Sequence, residues 1–139
     1  MITYARGLKS DDTNIVSYFL KKDATIVARM RLENSNGNQF VIPPMVYFEI
    51  NNWLLRNNSK NKMATFEKMC FAQGIGVIDK IVLDIASTIK LKMQKQGKSI
   101  EDDDLFIAAY CMKHNLPLVT NNIDHFKNVE DLKILNWVE

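Results

Sequence analysis

Four acidic residues of this chain stand where a carboxylate could do chemistry: Asp12, Glu49, Asp104 and Asp124. Asp12 opens the run Asp12-Thr13-Asn14 ahead of an amphipathic stretch. Glu49 lies among Tyr47, Phe48 and Ile50. Asp104 ends the acidic run Glu101-Asp102-Asp103 and leads into Leu105, Phe106 and Ile107. Asp124 follows the apolar pair Leu118-Val119, after Asn121 and Asn122. Each also has a plain structural reading. Asp11 or Asp12 could cap a helix, acids in a first turn suit the helix dipole, and Ser99 with Asp102 has the form of a capping box. Glu49 is harder to explain that way, because a carboxylate near an apolar interface is costly unless it is paired or metal-bound.

Taken together the four say more than each alone. Three adjoin expected strand–helix junctions and the fourth projects from a helix. In a parallel sheet those junctions share one edge, and four carboxylates gathered there would repel one another without cations. Hard oxygen ligands suit Mg²⁺ or Mn²⁺. A metal held by a few carboxylates, with waters left on it, can activate one of those waters and offset charge on a phosphate.

The elements that would position these acids follow from periodicity. Ile15, Val16, Phe19 and Leu20 form one helical face, and Ile26, Val27 and Met30 predict a short second helix. Residues 39–42 read as a strand. Pro44 can open a helix, which would run to about Arg56 with Val46, Ile50, Trp53 and Leu54 inward. Residues 60–73 form a helix on Met63, Phe66, Met69 and Cys70. Residues 76–78 read as a short strand. Residues 80–96 form a helix on Ile81, Ile85, Ile89 and Met93, stopped at Gly97. A further helix starts at Ser99 and carries Leu105, Ala108, Cys111 and Met112. Residues 117–120 and 133–136 close the chain as strands. This alternation predicts one α/β domain over residues 1–139, with a mainly parallel central sheet flanked by helices. Sites in such sheets gather beyond the carboxyl ends of the strands.

Composition narrows the function classes. Of 139 residues, 47% are hydrophobic and 24% charged, as in an ordinary globular domain, and a net charge of +2 gives no strong basic field for non-specific DNA binding. Only two cysteines occur, Cys70 and Cys111, both in apolar surroundings, which reads as two reduced thiols in a cytoplasmic protein. Neither His114 nor His125 is spaced with them for zinc, and both histidines read as surface residues. No apolar run reaches membrane-span length, and no glycine-rich nucleotide loop occurs among five glycines. Basic stretches at Lys21-Lys22, at 56–62, and at Lys90, Lys92, Lys95 and Lys98 read first as solvated faces and otherwise as local basic patches.

Asp12-Thr13-Asn14, the run Glu101-Asp102-Asp103-Asp104 with the apolar residues behind it, the segment Leu116 to Asn122 with Phe126, and the ending around Trp137 together resemble the VapC-type PIN-domain toxins of toxin–antitoxin pairs. The resemblance runs from Asp12 to the C-terminus. It implies a PIN-like three-layer α/β domain and a Mg²⁺-dependent endoribonuclease (Mn²⁺ possible in its place). The implied metal ligands are Asp12, Asp104 and Asp124, with Glu49 a fourth catalytic acid. Thr13 and Asn14 would orient Asp12, and Thr120 would line the site. It also implies a homodimer neutralised by a small antitoxin that docks on early helices around Tyr18, Phe19, Tyr47, Trp53 and Leu54. The chain departs from the pattern at two places. Lys9-Ser10-Asp11 stand where apolar strand residues are expected, and the apolar residues lie further back at Ile2, Tyr4 and Leu8, so either the first strand is shifted or bulged or the chain start is unusual. Asn122 stands where some relatives carry an aspartate. A second reading is a catalytically weak PIN-like module that binds RNA or protein.

Overall fold

The computed structural model describes the backbone of residues 2–4 and the whole of residues 15–137. Asp12, Thr13 and Asn14 therefore lie outside the described residues. The elements run in the order β1 (Ile2–Tyr4), α1 (Ile15–Leu20), α2 (Ala24–Ser35), β2 (Phe40–Val41), α3 (Pro44–Arg56), α4 (Lys60–Gln73), α5 (Lys80–Lys95), α6 (Asp102–Lys113), β3 (Leu118–Val119), α7 (Ile123–Phe126) and β4 (Ile134–Leu135).

The four strands form one sheet in the order β2-β1-β3-β4. Every pairing is parallel, with Thr3 opposite both Val41 and Leu118, and Leu118 opposite Ile134. A parallel sheet needs cover on both faces, and β2 shows how it is obtained. Successive side chains of a strand point to opposite faces. Phe40 and Ile42 enter the larger core with Ile15, Val46, Ile50 and Phe66, while Val41 enters a second core with Val82, Ala86, Leu105 and Tyr110. Helices therefore cover both faces, which makes the three layers expected from the alternation of elements.

α6 is the helix between the two cores. Ile107, Ala108 and Cys111 join the larger one, and Leu105, Ala109 and Tyr110 the smaller. It packs along α5 and also touches α3 and α7. Each fully buried Leu or Ile contributes roughly 1.5–3 kcal/mol, so the position of α6 is strongly determined, and with it the position of any residue in its first turn.

Several expectations from the sequence are corrected here. The second helix is longer than expected, at 12 residues, and Asp23 caps it by accepting from the Ile26 N–H at 3.1 Å. Residues 76–78 are not a strand. Only Ile75 pairs with Ile42, as an isolated parallel bridge beside β2. Gly76 then passes against Tyr110, so closely that a Cβ there would lie 2.3 Å from the ring, and the backbone leaves the sheet. On α5 the buried residues are Val82, Ala86 and Met93, while Ile81 is exposed. An every-fourth-residue row drifts off a 3.6-residue turn, and the true face follows the 3–4 alternation. Ser99 does not cap α6, which begins at Asp102 after Glu101.

Candidate active site

Asp104 is the third residue of α6 and is 1% exposed. Its backbone N–H donates to the Asp103 side chain at 3.0 Å. α6 runs back toward the start of β3, so its N-terminus lies beside the point where β3 ends. From that end the chain turns through Thr120, Asn121 and Asn122 into α7. Thr120 is fully buried and its Oγ1 accepts from the Asn122 N–H at 3.0 Å, which folds the turn. Asn122 is buried as well. Phe126, fully buried, anchors the far end of α7 in the core. Between these two fixed points, α7 places His125 Nδ1 2.9 Å from Asp104 Oδ2. A carboxylate only accepts, so the His125 N–H donates.

That contact corrects the expectation of a surface histidine. The His125 side chain is 27% exposed and is a partner of the most deeply buried acid among the described residues. A lone histidine carries no periodic signal. The one clue in the sequence was its place directly before Phe126, an aromatic that the fold must anchor. His114 is exposed, resting on the Tyr110 ring at 4.6 Å between centroids.

Asp124, the neighbour of His125, turns the other way. Its side chain is 84% exposed and pairs with Lys127 at 3.2 Å. Successive helical side chains are set about 100° apart, so Asp124 lies nearly opposite the anchored Phe126 and faces solvent. Asp124 is thus not brought to Asp104. Glu49 lies half-buried on α3, one turn before Trp53, and α3 packs against α6. The Asn121 amide donates to the Tyr18 hydroxyl at 3.3 Å, tying the β3–α7 turn to α1. Among the described residues, no three of His, Cys, Asp and Glu stand close enough to hold a metal ion. The donor types nevertheless fit a hard divalent cation, with carboxylates and amides at the sheet edge and both thiols elsewhere, Cys111 buried in the core and Cys70 on α4. Desolvation, then the nearby Glu67, pushes the Cys70 thiol up to about 11, which leaves it protonated and a poor ligand.

The basic stretches divide. Lys90 pairs with Asp102 at 3.0 Å and Lys92 with Glu130, so that group is partly neutralised. Lys21 and Lys62 both place their Nζ over the Trp53 ring, 5.6 Å from its centroid, and form a cationic rim at the junction of α1, α3 and α4. Behind this rim, a groove of about 680 Å³ runs between α1, α2 and α4, lined by Phe19, Val27, Met30, Arg31 and Thr65 among others. Of the residues expected to take a partner, only Phe19 lines it. Leu54 is buried and Tyr47 stacks on Phe66 at 5.5 Å. Among the described residues, no helix is long and apolar enough to cross a membrane.

Comparison with known proteins bears on this arrangement. The PIN domain family model matches residues 12–132. Ribonuclease VapC2 of Haemophilus influenzae is 30% identical over 131 residues, which span 91% of this chain and 96% of that protein. Ribonuclease VapC2 of Rickettsia felis is 28% identical over 130 residues, spanning 91% of this chain and 95% of that protein. Among solved structures, the Rickettsia felis VapBC2 complex bound to a promoter DNA fragment contains a chain that superposes with a TM-score of 0.83 at 24% identity, covering 99% of both chains. VapBC-1 from nontypeable Haemophilus influenzae gives 0.76 at 22% identity, covering 91% and 96%. At these identities the structural likeness is one of fold.

Proposed function

The chain belongs to the PIN-domain family as a VapC-type member, and on that premise we propose that it is a Mg²⁺-dependent endoribonuclease acting as the toxin of a toxin–antitoxin pair. The observation that carries this reading is the buried Asp104 carboxylate, held at the sheet edge where α6 begins and β3 ends. A carboxylate is not retained in a dry site without partners that favour its charge. Asp104 and Asp12 would hold the cation, which when bound would supply a water of lowered pKa and offset charge on the phosphate. Mn²⁺ would serve the same donors. Glu49 would position a metal-bound water or a metal ligand. Thr13 and Asn14 would orient Asp12, and Thr120 sets the turn that brings α7 against α6. Asp124, directed to solvent beside Lys127, stands at the rim of this site. Lys21, Lys62 and Trp53 offer cations and a ring edge to the RNA strand.

The partner reading follows from the same family. Solved relatives are VapBC and FitAB assemblies, and the α1–α2–α4 groove has an apolar floor with Arg31 and Lys22 among its lining residues. A small antitoxin would dock there through an amphipathic segment. A homodimer would cover apolar residues such as Phe48, Phe71 and Val77, which are exposed in the single chain.

Expression of the chain alone in a bacterial host tests the toxin assignment. Growth should arrest, the arrest should be lost with Asp104→Asn, and co-expression of the adjacent small gene should relieve it. A chain that is harmless alone and captures no small partner overturns it.

A further inference from the structure

We propose that His125 is a positioning residue for Asp104, so that α7 contributes a histidine to the metal site in place of an acid. The inference rests on the metal-dependent reading above and extends it to a residue that reading does not need. Three observations carry it. The His125 Nδ1–H reaches the Asp104 carboxylate at 2.9 Å, across 21 positions of sequence. Asp104 is 1% exposed, whereas the His125 side chain keeps 27% exposure. Asp124, the acid of the same helix, is 84% exposed and engaged with Lys127.

The geometry explains what this bond does. A carboxylate has capacity for about four acceptor contacts, so a donor on Oδ2 leaves room for a cation on the same group. A carboxylate that accepts a directional N–H bond is restrained about its terminal bond, and a ligand of restrained orientation loses less entropy when the ion arrives. Partners of this kind behind a metal ligand are worth about 10–100-fold in metal affinity. The device is also well anchored. The Asn122 N–H is tied to Thr120 Oγ1 at 3.0 Å on one side, and Phe126 is fully buried on the other, so the imidazole is placed by the fold and not by its own surface contacts.

The experiment measures Mn²⁺ affinity calorimetrically for the whole chain and its variants, beside thermal melting and the kcat and KM for RNA. His125→Phe keeps the ring shape and removes the donor. His125→Asn replaces the ring by an amide whose N–H can stand near the Nδ1 position. The inference requires His125→Phe to bind Mn²⁺ about 10-fold or more weakly, with kcat falling and KM little changed, and His125→Asn to recover most of both. Wild-type affinity in His125→Phe overturns it. An equal loss in the Phe and Asn variants overturns it as well, since a merely structural histidine would not be rescued by the amide. If the wild-type chain binds no Mn²⁺, the metal reading itself fails. If wild type binds Mn²⁺ and His125→Phe binds it equally well, that reading survives without this addition.

Discussion

At the start of α5, Asp79 shows how one side chain ties two helices together. It accepts from the Val82 N–H at 3.0 Å, capping its own helix, and it pairs with Lys113 of α6. The hydrogen bond from Lys113, followed by that from Val82, holds its carboxyl below the usual carboxylate range. A depressed folded pKa gives stability that is present above the unfolded value near about 4 and is lost as pH falls through the folded one. Asp79→Asn keeps an acceptor for Val82 and removes the charge. It should therefore melt below wild type at pH 7, with the difference closing in acid below about pH 4. An unchanged difference between the two pH values would assign the effect to something other than this pair. At this scale the sequence is uneven as a guide. Glu49 stands out in the sequence as an acid among apolar residues and lies half-buried, whereas Asp104 carries only the signal of a first-turn acid and is buried. Asp124 looked equivalent, yet its direction depends on which residues of a four-residue helix face the core. His125 was illegible because its partner lies on another element, and no local spacing encodes that. Asp12, Thr13 and Asn14 lie outside the described residues.

Elements long enough to show a period were read correctly in kind. α3 buries Val46, Ile50 and Leu54, and α4 buries Phe66 and Met69, all expected inward from their spacing. Trp53 was expected inward with them and is only half-buried beneath Lys21 and Lys62. Errors came where competing signals were nearly equal. Ile81 and Val82 are both good core residues, and only packing against α6 decides which one turns in. Gly76-Val77-Ile78 has strand composition, but Tyr110 occupies the space beside Gly76, so the segment serves as a close crossing and not as a ladder. That crossing can be tested. Gly76→Ala places a Cβ 2.3 Å from the Tyr110 ring, and Tyr110 is only 4% exposed, with little room to retreat. Overpacking of this kind costs about 1–3 kcal/mol, to be read as a lowered denaturant midpoint with an unchanged slope. A midpoint equal to wild type would show that the ring moves freely, and that α6 is held less firmly than its two cores suggest.

Across the whole molecule, the parallel sheet makes the site. Because β1, β2, β3 and β4 all run the same way, their carboxyl ends share one edge, and α6 returns its first turn to that same edge. This much was legible from the alternation of elements alone, since helices between short apolar strands leave few other arrangements. What stayed hidden was the order of the strands and the pairing of α7 with α6, both set by contacts far apart in sequence. The fold thus concentrates Asp104, His125, Thr120 and Asn122 at one edge, while cationic Lys21 and Lys62 flank Trp53 at the α1–α3–α4 junction. The most direct test of the account is cleavage of an end-labelled single-stranded RNA by the purified chain, with Mg²⁺ or with chelator, for wild type and Asp104→Asn. The account predicts cleavage by wild type with Mg²⁺ only, and a loss of about 10²-fold or more in Asp104→Asn without loss of fold. Full activity in chelator, or in the Asp104→Asn chain, would contradict it.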